Sequence, residues 1–356
     1  MAAPGDPHVR PGGPAASAAR AAWDRPGPAL GEFELIERLR TIVPGRGEGV
    51  VTGIGDDTAV LRPGRTVLAT CDVQVEGVHF TRDLCAPADV GWRALAVNLS
   101  DIAAMGGTPR YALVSLLIPP SAGSAALEEL YRGMADLARL HGVALVGGNV
   151  SRTAGPLAVD VTLLGDAEHP VLRSGARPGD GVWITGQTGK AAAGRFVLEH
   201  AGGPDAADSL ASAYRRPVPR VAAGQALGRL AKEGIVTAMI DTSDGTAGDL
   251  LHLAEASHAG VRLDGTRLPV PAGLADAARA AGVAVETWTL DGGEDYELLF
   301  TATAAFEGRA AETVQTGGVP VTRIGDVLPE PEGRWIVTPA GRRPLRATAW
   351  DHLACR

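Results

Sequence analysis

The sequence predicts an α/β protein with mixed α+β sheets and two domains, on three observations. Its 356 residues exceed what one hydrophobic core usually organises. Apolar runs of strand length alternate with stretches of helical periodicity. In both halves, apolar strands empty into carboxylates beside glycine: Val67–Phe80 runs from Val67, Leu68 and Ala69 into Asp72, Glu76 and His79, and Ile235–Ile240 runs into Asp241-Thr242-Ser243-Asp244-Gly245. Open α/β sheets present chemistry in this way, at strand ends.

Taken in order, residues 1–30 are rich in Ala, Pro and Gly, lack an apolar signal-peptide core, and read as a disordered tail. Order is expected from Gly31, where Phe33, Leu35, Ile36 and Leu39 form a helical stripe. A glycine-rich loop then ends in Gly53-Ile54-Gly55-Asp56-Asp57. After the Val67 strand, Pro87 and Asp89 mark the start of a helix over Val90–Met105, closed by Gly106-Gly107. Tyr111–Ile118 is a strand, Ala125–Leu140 a helix, Val143–Val146 a short strand reaching Gly147-Gly148-Asn149, and Leu157–Leu164 another strand. These make a first domain of 31–166. The second, 167–356, opens on the turn-rich Arg173–Gly181. It continues through strand Val182–Thr185, helices from Lys190 and after Pro219, strand Ile235–Ile240, helix Thr246–Ser257 and strand Tyr296–Thr301.

A formal net charge of −8 disfavours nucleic acid or an anionic membrane as partner. Cys71, Cys85 and Cys355 show no C-x-x-C spacing, so neither a disulfide framework nor a zinc site is expected, and a reducing cytoplasmic setting fits. No apolar run approaches membrane-spanning length.

Thr185-Gly186-Gln187-Thr188-Gly189-Lys190-Ala191 imitates a phosphate-binding loop, but Ile184 and Ala191 stand where that loop needs glycine and a hydroxyl, so it reads as a strand-to-helix turn. Asp56, Asp57, Asp72, Asp101, Asp241 and Asp244 are harder to dismiss as caps, because paired acids exceed what one cap needs. Should several converge, carboxylates about 4 Å apart repel by roughly 4 kcal/mol, and the cluster needs cations. Oxygen ligands without clustered His or Cys select Mg²⁺, which usually arrives with substrate phosphates. Glycines 53, 55, 147 and 148 would let backbone approach those phosphates.

The ordered series GEFELIERL, GIGDDTAVL, TCDVQVEGVHF, AVNLSDIAAMGG, LVGGN, RSGARPGD, IDTSDG, GGEDYELLF and AWDH resembles the thiamine-monophosphate kinase family across Gly31–His352. The resemblance implies the two-domain aminoimidazole-ribonucleotide-synthetase-like fold, with a homodimer formed through the N-terminal sheet. It also implies transfer of a phosphoryl group from ATP onto the phosphate of thiamine monophosphate, directly and in line. By matched position, Asp57, Thr70, Cys71, Asp72, Asp101, Asp241 and Asp244 would surround Mg²⁺, with Asp72, Asp101 and Asp244 closest to the chemistry. Gly148, Asn149, Arg173 and Ser243 would contact ATP; His79, Glu294 and Trp350 would contact the thiamine substrate. Cys71 and Asn149 depart from the family's usual threonine and aspartate. Two alternatives stay open at this level: a related ATP-dependent enzyme with another acceptor, and a nucleotide-binding module without catalysis.

Overall fold

The computed structural model describes residues 20–25, 32–43, 49–52, 60–61, 66–200 and 206–347. The first part contains α1 (Glu32–Ile42), β1 (Val50–Thr52), β2 (Val60–Leu61), β3 (Val67–Val75), α2 (Pro87–Ala104), β4 (Thr108–Ile118), α3 (Ser124–His141), β5 (Ala144–Arg152) and β6 (Ala158–Asp166). The second contains β7 (Gly181–Thr185), α4 (Lys190–His200), α5 (Ala206–Arg215), α6 (Val221–Lys232), β8 (Val236–Asp241), α7 (Thr246–Ala256), β9 (Gly260–Asp264), α8 (Leu274–Ala281), α9 (Val285–Asp291), β10 (Leu298–Ala302), α10 (Ala310–Gly317), β11 (Val321–Leu328), β12 (Arg334–Thr338) and β13 (Gly341–Pro344). Among the described residues, no helix is long and apolar enough to cross a membrane.

The first part is built on a four-stranded sheet, β3-β6-β4-β5, parallel only at β4/β5. Helices α2 and α3 cover its inner face, from which Val159, Val161 and Leu163 of β6 point into the core. The second part carries a seven-stranded sheet, β13-β12-β9-β11-β7-β10-β8, antiparallel except at β12/β9. Alternation on β3 divides its residues cleanly. Val67, Ala69, Cys71 and Val73 are exposed on the outer face, while Leu68 and Gln74 are buried on the inner face with Thr70 and Asp72 half-buried between them. Asp72 therefore sits in mid-strand, not in a turn, because the strand continues to Val75. A carboxylate is tolerated there because the inner face of β3 is not wholly core: part of it fronts the cleft described below.

The two parts share a core, although the second also has an apolar cluster of its own around Ile184, Leu250, Val261 and Ile324. One apolar cluster runs from Trp23 through α2 to Val221, Leu227, Leu298 and Phe300 of the second part. Helix α2 meets α6 so closely that a Cβ added at Gly224 would lie 2.2 Å from the carbonyl oxygen of Ala103. At the other end of α2, Arg216 pairs with Asp89 at 2.6 Å, and Trp92 Nε1 donates to Pro217 O at 2.8 Å. Asp89 also accepts from Ala86 N at 3.1 Å, the helix-start role its position implied.

Several expectations change. The tail reading of 1–30 fails for residues 20–25: Trp23 is fully buried and its Nε1 donates to Cys85 O at 2.9 Å, with Arg82 over its ring. A lone tryptophan gives no periodicity, so composition hid it. The short strand at Val143–Val146 is longer, since β5 passes straight through Gly147-Gly148-Asn149. That passage requires glycine at 148, where φ is +153° and a Cβ would fall 1.9 Å from Val114 O. Helices α5, α8, α9 and α10 and strands β9, β11, β12 and β13 were not foreseen; arginines 262, 323, 334, 342 and 343 interrupt the apolar signal of those strands. The segment imitating a phosphate loop is the β7-to-α4 turn, and Lys190 Nζ stands 3.6 Å from buried Glu297.

Gly224→Ala should push α6 away from α2 and destabilise the protein by about 1–3 kcal/mol, the usual cost of overpacking. Urea unfolding of the wild type and variant measures it; equal midpoints and slopes would show that the close approach carries no stability.

Candidate functional site

Between the two parts lies a cleft of about 480 Å³, walled by Asp72, Gln74 and His79 on and after β3, Val97 and Asp101 on α2, Asp241, Ser243 and Asp244 at the end of β8, Arg173, Arg195 on α4, and Asp291–Glu294 with Tyr296. Local folding explains why these groups meet. On β3 the two-residue period turns Thr70, Asp72 and Gln74 inward. Opposite them, α2 presents Asp101, which accepts a short hydrogen bond from Thr70 Oγ1.

The second part delivers its residues on two loops joined main chain to main chain. Asp241 pairs with Leu298 at the end of the β8/β10 ladder. Beyond that pair, Thr242 N donates to Glu297 O at 2.8 Å, Tyr296 N to Thr242 O at 3.0 Å, and Glu294 N to Ser243 O at 2.8 Å. Ser243, Asp244 and Glu294 consequently arrive together. The loop takes left-handed backbone at Glu294 (φ +58°) and Tyr296 (φ +52°), a conformation that costs non-glycine residues on the order of 1–3 kcal/mol and concentrates at functional sites. Asp295 lies between them and caps α4, accepting from Gly189 N and Ala191 N. Glu297 is fully buried and clamped by Arg220 through two bonds at 2.6 and 2.7 Å and by Thr185 Oγ1 at 2.8 Å.

The cleft concentrates negative charge. Burial first, and then the charge of Asp101, push the carboxyl of Asp72 up to about 7. The same two causes push Asp241 up to about 7, although Ser100 Oγ donates to it at 2.6 Å and Arg173 opposes the rise. Behind them Asp249, raised to about 8 by burial and by the charges of Asp241 and Asp244, accepts from the backbone N–H groups of Asp244 and Gly245 and holds that turn. His79 Nδ1 accepts from Val75 N at 3.1 Å, which places the proton of the neutral ring on Nε2.

The cleft thus gathers Asp72, Asp101, Asp241, Asp244, Arg173, Ser243, His79 and Glu294, with Thr70 beside Asp101. It does not gather the rest of the expected set. The Cys71 thiol points to the opposite sheet face, 3.1 Å from Asp160 Oδ1, because neighbouring strand residues alternate; only its backbone is left to serve a metal shell. Gly148 lies on β5 in the cross-sheet row that runs from Asp72 through Val161 and Val114, and Asn149 in the neighbouring row opposite Ser115, roughly 14 Å from β3 at the usual strand spacing. Asp57 and Trp350 fall outside the described residues.

Comparison with known proteins places this geometry. Residues 55–167 match the family AIR synthase related protein, N-terminal domain, and residues 177–338 its C-terminal domain counterpart. The thiamine-monophosphate kinase of Escherichia coli O157:H7 is 38% identical over 336 residues, covering 92% of this chain and 99% of the relative. The chain belongs to the thiamine-monophosphate kinase family. Among solved structures, the thiamine-monophosphate kinase from Stenotrophomonas maltophilia K279a superposes with a TM-score of 0.76 at 33% identity, over 86% of this chain and 96% of that one. The structure of AaThiL complexed with AMPPCP and TMP gives a TM-score of 0.71 at 30% identity, over 92% and 99%.

Membership of the thiamine-monophosphate kinase family leaves several cleft residues that the sequence reading passed over. Gln74 is the next inward position after Asp72 on β3 and is buried, with no partner for Oε1 among the described residues; the two-residue period could have found it. Arg195, Asp291 and Tyr296 carried no such signal, since α4, α9 and the loop before β10 meet the cleft only through tertiary packing.

Burial pushes Asp295 up to about 7, against its two backbone hydrogen bonds. A carboxyl raised in the folded state above its unfolded value near 4 holds a proton that the unfolded chain has lost. Its contribution is present at low pH and fades as pH rises from about 4 to about 7. Asp295→Asn should therefore flatten the fall in unfolding free energy between pH 5 and 7 by about 2 kcal/mol. Parallel pH–stability curves for the two proteins would refute that attribution.

Proposed function

We propose that the chain transfers the γ-phosphoryl group of ATP to the phosphate of thiamine monophosphate, giving thiamine diphosphate and ADP, in the cleft between its two parts. The observation that carries this reading is the convergence on one cavity of the acidic and acceptor positions matched to the family, from both halves of a chain that covers its relatives almost end to end.

The donor set suits Mg²⁺. It is all oxygen, and burial and mutual repulsion raise Asp72 and Asp241, as expected of carboxylates awaiting a cation. Among the described residues no three His, Cys, Asp or Glu side chains form a closed metal cage. Mg²⁺ rarely needs one, since it binds through one or two carboxylates together with water and substrate phosphates. Asp72, Asp101, Asp241 and Asp244 would hold it, with Thr70, the Cys71 backbone and Asp57 in support, and it would supply charge neutralisation between two polyanions.

The chain's own residues then have definite tasks. An oxygen of the acceptor phosphate is already a competent nucleophile, so no side chain is required to deprotonate it, and transfer proceeds directly, in line, without a phospho-enzyme. Arg173 and Ser243 contact the nucleotide phosphates, while Gly148 and Asn149 stay separated from Asp72 by the buried Val161 and Val114. Glu294 offsets the positive charge of the thiazolium ring, His79 offers its Nε2–H, and Trp350 completes the acceptor side. Holding both phosphates in one cleft removes the entropy of their encounter. The outer face of β3 and β4 exposes Val67, Val73 and Leu117, each more than 40% accessible, and this apolar surface supports a homodimer formed through the N-terminal sheet.

Incubating the chain with ATP, Mg²⁺ and thiamine monophosphate should yield thiamine diphosphate in step with ADP in a coupled assay, and EDTA should abolish turnover. Asp72→Asn should lower kcat at least about 100-fold, on the order of 3 kcal/mol of barrier. Near-normal turnover would remove Asp72 from the mechanism, and nucleotide binding without Mg²⁺-dependent product would leave only a binding module. Val73→Glu should convert the dimer to monomer in sedimentation velocity; a persistent dimer would place the interface elsewhere.

A further inference from the structure

We propose that Arg93 is a positioning residue for the acceptor end of the cleft, holding Glu294 of the second part and the backbone of His79 of the first through a single buried guanidinium. The inference rests on the functional reading above and adds to it a residue that touches neither substrate nor metal.

Arg93 projects from the first half of α2 and is completely buried. An arginine carried out of water costs several kcal/mol unless its charge is paired and its N–H groups are satisfied. The two terminal nitrogens find partners on both sides of the cleft, while Nε has none among the described residues. One terminal nitrogen donates to the carbonyl of Tyr214 on α5, and the other makes the short ion pair with Glu294 Oε1 and reaches His79 O at 3.4 Å. The ring of Tyr214 lies 4.8 Å from the guanidinium carbon. Arg93 and Glu294 are 201 residues apart in sequence, so the pair exists only when the two parts close on each other.

Glu294 is the residue most in need of such a hold. Its backbone is left-handed, pinned by one bond to Ser243 O, and its side chain is 31% exposed toward the cavity. Among the described residues, Arg93 is its one ion-pair partner. The guanidinium therefore fixes the carboxylate from behind, and the same group anchors the carbonyl of His79, whose ring occupies the facing wall. A planar fork of five donors can serve three acceptors at once; a lysine ammonium at the same position is a point charge on a flexible stem and cannot reproduce the arrangement.

A role confined to joining the two parts would lower stability and the fraction of active enzyme without touching one substrate in particular. Steady-state kinetics with ATP and thiamine monophosphate varied separately, run beside thermal unfolding, separates the roles. Arg93→Lys should raise the KM for thiamine monophosphate about tenfold or more while the KM for ATP stays within about twofold. Glu294→Gln should raise the same KM, and Arg93→Met added to Glu294→Gln should raise it no further than about twofold, because the ion pair with Glu294 is the main hold and only the long 3.4 Å bond to His79 O is then left to lose. The double variant leaves no unpaired buried charge, so it decides the matter should Arg93→Lys not fold. An unchanged acceptor KM in Arg93→Lys, equal effects on both substrates, or independent effects that multiply in the double variant would each overturn the proposal. A wild-type chain that forms no thiamine diphosphate sinks the functional reading along with it, whereas an active wild type with insensitive Arg93 variants sinks this inference alone.

Discussion

Repulsion between carboxylates held in one cleft is the constraint to which the rest of the structure answers. Asp72 comes from a strand, Asp101 from a helix and Asp241 from the end of another strand in the other half of the chain. Gathering them is unfavourable twice over, through loss of solvation and through mutual charge, and the raised carboxyls of Asp72 and Asp241 express both costs. Ser100 and Arg173 relieve only Asp241 in part. A fold that sought stability alone would not build this wall; one that must bring two phosphates together has reason to, since the same cluster becomes favourable once cations and polyanions enter it.

The surrounding architecture holds that arrangement closed. One core passes between the two parts, and the Gly224 contact lets α6 lie directly on α2, so Asp101 and Asp241 keep a fixed relation. Main-chain bonds between the Thr242–Ser243 and Glu294–Tyr296 loops carry Ser243, Asp244 and Glu294 as one unit. Buried ion pairs stand behind them, Arg220 with Glu297 and Arg93 with Glu294. Such pairs contribute little net stability against apolar replacements, but they fix geometry, and fixed geometry is what charge stabilisation in a transition state requires.

Much of this was legible in the sequence, for physical reasons. Acids beside glycine at the ends of apolar runs marked Asp241 and Asp244, and Asp101 fell within the helix expected over Val90–Met105. The motif order singled out His79, Arg173, Ser243 and Glu294, which line this one cavity. Side-chain alternation on β3 is equally legible and puts Cys71 on a face with Val73, not with Asp72. Arg93 and Arg195 gave no signal, because an arginine on a helix is ordinarily a solvated residue and only the closure of two parts of the chain buries the first and turns the second toward the cavity. Trp23 was hidden by the composition around it, and β9 with β11–β13 by the arginines that interrupt them.

A crystal structure of the chain with a non-hydrolysable ATP analogue, Mg²⁺ and thiamine monophosphate tests the central claim most directly. The account predicts density for Mg²⁺ between the nucleotide phosphates and at least two of Asp72, Asp101, Asp241 and Asp244, with the acceptor's phosphate in line with the γ-phosphate and its ring system beside His79 and Glu294. Nucleotide or acceptor bound away from this cleft, or bound within it with those carboxylates contacting neither metal nor phosphate, would contradict it.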